Sequence, residues 1–278
     1  MARDEFVVSQ PTAALRSYVR RYIGYRHHGV ALKVHRGLPS RSVTVVISLA
    51  DPIRLLGDAE HGPRASQASA SGLHLAPALI AQDAYQYGLH LELNPLGVRA
   101  LLGMSATELA DDMCELTDLP VPWARTLLPR LYEASDWEAR FSLLDNTFLG
   151  ALRPVTLVSE VQWAWRAMIA RDGNLPVHRL ADEVGWSRRH FTKRFASQIG
   201  VTPKQAARLI RFERSNALLR NGFASSLAEL AHVCGYYDQA HMTNEWRVLA
   251  GCTPGAWIAE ELPFLQYDSS GQRAESLS

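Results

Sequence analysis

Leu180–Pro203 reads LADEVGWSRRHFTKRFASQIGVTP, and Leu230–Pro254 reads LAHVCGYYDQAHMTNEWRVLAGCTP. The second stretch is a divergent copy of the first. Leu180-Ala181, Gly185, Trp186, Phe191, Phe195, Gly200, Thr202 and Pro203 recur as Leu230-Ala231, Gly235, Tyr236, Met242, Trp246, Gly251, Thr253 and Pro254. The offset is fifty residues up to the glycine turn and fifty-one beyond it, so the second copy carries one inserted residue there. Each copy reads as a short helix, a glycine turn, a second helix, a glycine stop and a Thr-Pro that opens a further helix. Thr is a favoured N-cap and Pro a favoured first helical residue. Two helix-turn-helix units on one chain can occupy two successive major grooves without a dimer. Reading of duplex DNA is therefore the leading interpretation.

The helices flanking these turns follow from caps and periodicity. Val177–Val184 and Arg188–Ile199 form the first pair, with Ser187 as N-cap. Thr202 caps a long helix from Pro203 to Arg220, stopped by Asn221-Gly222. Its eighteen residues span about 27 Å at ~1.5 Å each, close to the ~34 Å separating two readers one turn of B-DNA apart. Ser226 caps Leu227–Cys234, Asp238 caps Gln239–Leu249, and Thr253-Pro254 opens a last helix to about Glu261. In Arg188–Ile199, Phe191, Phe195 and Ile199 share the inward face. Arg188, Arg189, Thr192, Lys193 and Ser197 take the other side, where cations and a small hydroxyl suit guanine and thymine edges. The second reader offers Gln239, Ala240, Thr243 and Asn244, with Asp238 and Glu245 nearby and Arg247 as its one cation. Affinity is expected to come mainly from the first unit and added discrimination from the second.

Charge is distributed in the same sense. The whole chain of 278 residues is only +1, yet 176–222 holds ten Arg or Lys against Asp182, Glu183 and Glu213, a net +7. The remainder is therefore net acidic, and the basic stretch is a footprint for phosphate. Cys114, Cys234 and Cys252 have neither metal spacing nor an even count, and read as small hydrophobes in a reducing, cytoplasmic setting. With no N-terminal apolar segment and no run of eighteen apolar residues, neither secretion nor a membrane partner is expected.

The N-terminal half has a different texture. Pro11–Tyr25 is predicted as an amphipathic helix, with Leu15, Tyr18, Val19 and Tyr22 on one face and Arg16, Arg20 and Arg21 on the other. Strands are predicted at Ser42–Leu49, Ile53–Leu56, Leu73–Leu75, Leu79–Ala81 and Tyr85–Leu93, and Gly57–Ser71 as a polar loop. Beyond Asn94-Pro95 the chain turns helical: Leu96–Leu102, a helix capped by Ser105 with Glu108, Trp123–Tyr132, Asp136–Leu152 and Val155–Ala170. The expected organisation is α+β. A β-rich and then helical regulatory or dimerisation domain takes 1–152, a helical linker 153–173, an all-α domain with two helix-turn-helix units 174–262, and a flexible tail 263–278.

The run LADEVGWSRRHFTKRFASQIGVTPKQAARLIRFERSNALL, with LAELAHVCGYYDQAHMTNEWRVLAGCTPGAW after it, resembles the DNA-binding domain of AraC/XylS-type transcriptional regulators over roughly a hundred residues. Both glycine turns, both Gly-x-Thr-Pro ends and Arg211 with Leu218-Leu219 carry the resemblance. It implies a seven-helix domain in which Arg189, Thr192 and Lys193, and then Gln239, Thr243 and Asn244, read bases. It places backbone contacts at Ser187, Arg188 and Arg194, with Arg247 added as the cation of the second unit. This chain departs from the family's habit at Ala206, Ser215 and Asn244. In the N-terminal half LHLELNPLGVRALLGMSATELADDMCELTDL resembles, more faintly, a regulatory module found in part of that family.

Other chemistry finds less support. No histidine pair has metal-ligand spacing with a matching carboxylate apart from His90 and Glu92 on one strand face, so no metal or cofactor is expected. Cys114 sits between acids that raise a thiol pKa, which argues against a methyl-acceptor repair cysteine. No P-loop, dinucleotide fingerprint or Gly-x-Ser-x-Gly occurs, so no enzyme activity is expected. The expected function is a transcription regulator reading an asymmetric site of about 17–20 base pairs. Its N-terminal half is expected to answer a small-molecule effector or a partner. RNA polymerase and a second copy of the chain stay open as partners. The rival is an effector-binding or protein-interaction module whose helical unit has lost DNA readout.

Overall fold

The computed structural model describes residues 4–29, 33–57, 62–110, 113–222 and 226–261. His61 and the tail assigned to 263–278 lie outside the described residues. Strands dominate the first part: β1 (Glu5–Ser9), β2 (Val19–His28), β3 (Val34–Gly37), β4 (Val43–Ser48), β5 (Ile53–Leu55), β6 (Arg64–Ser66), β7 (Ala68–Ser71), β8 (Ala78–Ala81) and β9 (Tyr85–Leu93). After α1 (Val98–Leu102) come β10 (Met113–Glu115), α2 (Pro122–Glu133) and α3 (Trp137–Ala151). The rest is helical: α4 (Ser159–Ala170), α5 (Val177–Glu183), α6 (Arg188–Ile199), α7 (Pro203–Arg220), α8 (Leu227–Val233), α9 (Gln239–Ala250) and α10 (Pro254–Glu260).

The strands form two antiparallel sheets, ordered β1-β2-β9-β4-β7-β10 and β3-β8-β5-β6. Side chains alternate across a strand, so register decides what is buried. Tyr22 stands opposite Leu91, Leu91 opposite Val45, and Val45 opposite Ala70. That row and its neighbours Val43, Ile47, Leu89 and Leu93 are at most 1% exposed. Helix α3 covers them, with Tyr22 stacked on Phe141 at 6.0 Å and tilted against Phe148 at 6.3 Å. Gly24 lies in the same face because a Cβ there would come 2.3 Å from the Trp137 ring. The opposite face is polar: Arg21 donates to Glu92 at 2.6 Å, and His90 shares that face.

Three sequence expectations fail here, each for a physical reason. Pro11–Tyr25 is not a helix; a 3-10 turn at Ala13–Leu15 leads into β2. Leu15, Tyr18, Val19 and Tyr22 do fit helical spacing, but the β-branched and aromatic run from Val19 to Tyr25 is held between β1 and β9, and tertiary pairing overrides a short periodic signal. Gly57–Ser71 is not wholly loop. Ala68 and Ala70 are fully buried in β7 between β4 and β10, where small side chains fit beneath the larger residues of their neighbours. Leu73–Leu75 is not a strand, because Gly72 ends β7 by donating its N–H to Leu109 O at 2.9 Å. Strands β1, β3, β6, β7 and β10 have no counterpart among the expected strands. The Ser105–Glu108 capping box is present, on a 3-10 turn rather than an α-helix.

Polar contacts tie this half to three of the C-terminal helices. Glu213, in α7, accepts from Arg20 Nη1 at 2.7 Å and from the Arg41 backbone N–H at 3.2 Å. Ser105 Oγ donates to the Ser197 carbonyl near the end of α6 at 3.3 Å. Glu261, fully buried just past α10, accepts from His35 Nδ1 at 2.9 Å and from the Arg36 backbone and guanidinium at 3.2 Å each. Burial alone would raise the Glu261 carboxyl, but the His35 hydrogen bond and charge, with Arg36, outweigh it and hold the pKa below the usual carboxylate range. A depressed pKa contributes stability that is present above the unfolded value, about 4.3 for Glu, and lost as pH falls through the folded value. The stability difference between wild type and Glu261→Gln is therefore expected to be largest above about pH 5 and to shrink towards zero in stronger acid. Denaturant unfolding at stepped pH checks this; a difference independent of pH would contradict it.

Candidate nucleic-acid interface

The first unit is built on two glycines. Gly185 has φ +70° in the turn between α5 and α6, and Gly200 has φ +96° at the end of α6. Left-handed backbone of this kind strains residues that carry a Cβ. Ser187 caps α6, its Oγ accepting from the His190 N–H at 3.3 Å. Phe191, Phe195 and Ile199 are fully buried, and Trp165 of α4 packs on Phe195 at 6.2 Å. Helix α4 thus supplies part of the floor under α6, whereas Trp163 on the same helix stays 43% exposed. The other side of α6 is open: Ser187, Arg188, Arg189, Lys193, Arg194 and Ser197 are exposed and Thr192 is half-buried. No ion pair joins any of these four cations to a described residue. They form a concentrated positive edge that long side chains can carry into a groove.

The second unit repeats the frame with different chemistry. Gly235 has φ +76°, backbone that favours glycine, and a Cβ there would also displace the Asn174 side-chain amide. Asp238 caps α9 by accepting from the His241 N–H at 2.7 Å. Met242 and Trp246 are fully buried. Gln239, Ala240, Asn244 and Arg247 are exposed and Thr243 half-buried, so the sequence-predicted readers share one open side. Arg247 Nη1 donates to Asn244 Oδ1 at 2.9 Å, which takes one of the two acceptor positions of that oxygen. Glu245 is not a free acid in the interface: Arg208 of α7 pairs with it at 2.7 Å.

Helix α7 joins the units as a strut. Thr202 and Gln205 form a reciprocal capping box at its start, with bonds of 2.8 and 3.3 Å. Phe212 meets Trp246 edge to face at 4.8 Å. Ser215, fully buried, accepts from Trp246 Nε1 at 3.0 Å and donates to Phe212 O at 2.8 Å. Ser215 therefore has a structural role that sequence reasoning missed; a buried indole N–H two helices away gave no local signal. Arg211 donates to the Gly173 carbonyl at 2.9 Å and Arg214 pairs with Asp172, which pins the turn before α5 to the strut.

Among the described residues no group of three or more His, Cys, Asp or Glu could hold a metal ion. No described helix is long and apolar enough to cross a membrane.

Comparison with known proteins agrees with this geometry. Residues 180–260 match a helix-turn-helix domain family. A stretch of 69 residues is 32% identical to YbfI of Bacillus subtilis (strain 168), an uncharacterized HTH-type transcriptional regulator; it covers 25% of this chain and 24% of that relative. Two crystal structures of ToxT from Vibrio cholerae share the fold at 12% identity. One, from strain O395, gives a TM-score of 0.50 over 88% of this chain and 98% of its own. The other gives 0.51 over 86% and 97%.

Replacing Ser215 with Ala would leave the Trp246 indole N–H buried without its acceptor. The expected loss is about 1–3 kcal/mol of unfolding free energy, measurable by urea denaturation, and an unchanged midpoint would refute the role given to Ser215. Residues 180–260 thus match a helix-turn-helix domain family, on a chain that shares the fold of ToxT.

Proposed function

We propose that this protein is a sequence-specific DNA-binding transcription regulator whose C-terminal domain, 174–262, enters two adjacent major grooves. The observation that carries this reading is the pair of open recognition faces on α6 and α9, held on one strut, with four exposed cations concentrated on the first. In this reading Arg189, Thr192 and Lys193 contact bases in one groove, and Gln239, Thr243 and Asn244 in the next. Ser187, Arg188, Arg194 and Arg247 hold the backbone. Arg pairs well with guanine, and Gln and Asn with adenine, so the two half-sites should differ in composition. The N-terminal half, 1–152, sets activity through its contacts with α6, α7 and the end of α10. An effector or partner that binds one arrangement of those contacts better than another would shift the DNA-binding population. This account needs no cofactor and no catalytic chemistry.

A second reading has one observation in its favour: α9 exposes a single cation, as expected if that unit had turned to protein contacts.

Fluorescence-anisotropy titration of the intact protein against DNA from upstream of its own gene, with a shuffled control at two salt concentrations, separates the two. A preference of about 10³-fold or more for one fragment supports specific readout. Absence of binding even at low salt supports the interaction module. On the preferred fragment, Arg189→Ala is expected to cost about 1–3 kcal/mol and to relax preference at one base pair. If Lys193 meets a phosphate, Lys193→Ala should instead lower the salt slope by about one with preference unchanged. Unaltered affinity in both variants would defeat the assignment.

A further inference from the structure

The residue inserted in the second glycine turn is Tyr237. Trp186 corresponds to Tyr236 at an offset of fifty, and the N-caps Ser187 and Asp238 correspond at fifty-one, so Tyr237 alone has no counterpart in the first unit. It is also the most exposed aromatic among the described residues, at 92%, where Tyr85, Tyr132 and Trp163 reach 43%. The turn around it is ordered by its neighbours. Tyr236 is 4% exposed, lies under Arg211 at 5.7 Å and meets His241 edge to face at 5.5 Å. The Tyr237 N–H donates to His241 Nδ1 at 3.3 Å. An extra residue in a packed turn has thus been pushed outward, one position before the cap of the recognition helix, at the end that enters a groove.

The chemistry around Tyr237 indicates what it meets. The three positions read as backbone contacts in the first unit, Ser187, Arg188 and Arg194, correspond to Asp238, Gln239 and Glu245 in the second. Two are carboxylates, which repel phosphate; one is spent on capping α9 and the other on Arg208. A neutral phenol is not repelled, and tyrosine hydroxyls are regular donors to DNA phosphates. We propose that Tyr237 is a backbone contact of the second unit, its hydroxyl donating to a phosphate oxygen at the edge of the groove that α9 enters. This rests on the DNA-binding reading above.

The test is anisotropy titration of full-length protein on its preferred duplex, comparing wild type, Tyr237→Phe and Arg189→Ala. Tyr237→Phe keeps the ring and removes the donor at an exposed site, so its thermal midpoint should match wild type. Its affinity should fall about tenfold, the scale of a hydrogen bond to a charged group. The ranking of mutated sites and the salt slope should not change, since no cation is lost. Neutral methylphosphonates placed singly along the second half-site should include one that weakens wild type but adds little to Tyr237→Phe. Wild-type affinity in Tyr237→Phe, with Arg189→Ala still impaired, overturns this contact and leaves the DNA-binding reading standing. An altered ranking of sites would mean base readout and overturns the phosphate assignment. Failure of wild type to prefer any duplex overturns both.

Discussion

The rigidity of α7 and its attachment to both units govern everything downstream. An isolated helix of this length is marginal in water. Here it is fixed along its whole run by a capping box at Thr202, by Arg211 and Arg214 on the turn at Asp172 and Gly173, and by Phe212 and Ser215 on Trp246. The Trp246 indole is the keystone of the second unit because its N–H has a buried acceptor only where α7 places Ser215. With both ends tied, the two recognition helices keep a fixed spacing and rotation. Nearly fixed readers avoid much of the entropy cost of ordering two domains on one duplex.

On that frame the two units differ in charge. The first has a dense cationic edge suited to phosphate and guanine. The second is nearly neutral, and its acids are withdrawn: Asp238 caps α9, and Glu245 is held by Arg208. Both acids near the second reader thus serve the scaffold. The N-terminal half touches α6, α7 and the residue after α10, so a change in its packing reaches both units at once. Ion pairs such as Arg20 with Glu213, at 2.7 Å, are half-buried there.

The C-terminal helices were legible in the sequence because each carries its own local signals: Ser187, Thr202, Ser226, Asp238 and Thr253 as caps, and Gly200 and Gly251 as stops. Helices α6 and α7 begin and end where those signals place them. The open faces of α6 and α9 followed from periodicity alone. The N-terminal half was read less well because strands depend on partners distant in sequence. Val19–His28 is a strand only in the company of Glu5–Ser9 and Tyr85–Leu93, and Ala68–Ser71 looks like a loop until Val45 and Ile47 are laid beside it. The roles of Ser215 and Glu261 are illegible in the sequence for the same reason: their partners, Trp246 and His35, are 31 and 226 residues away.

The central claim is that one strut sets two readers one helical turn apart on the same face of DNA. The most direct measurement is affinity for a preferred duplex in which about five base pairs, half a turn, are inserted between the two half-sites, beside one with a full turn of about ten. The expected result is that both insertions reduce binding to the level of the first half-site alone, since a rigid helix of eighteen residues can follow neither the rotation nor the added length. Undiminished affinity with either insertion would contradict a rigid strut and show that the two units bind independently.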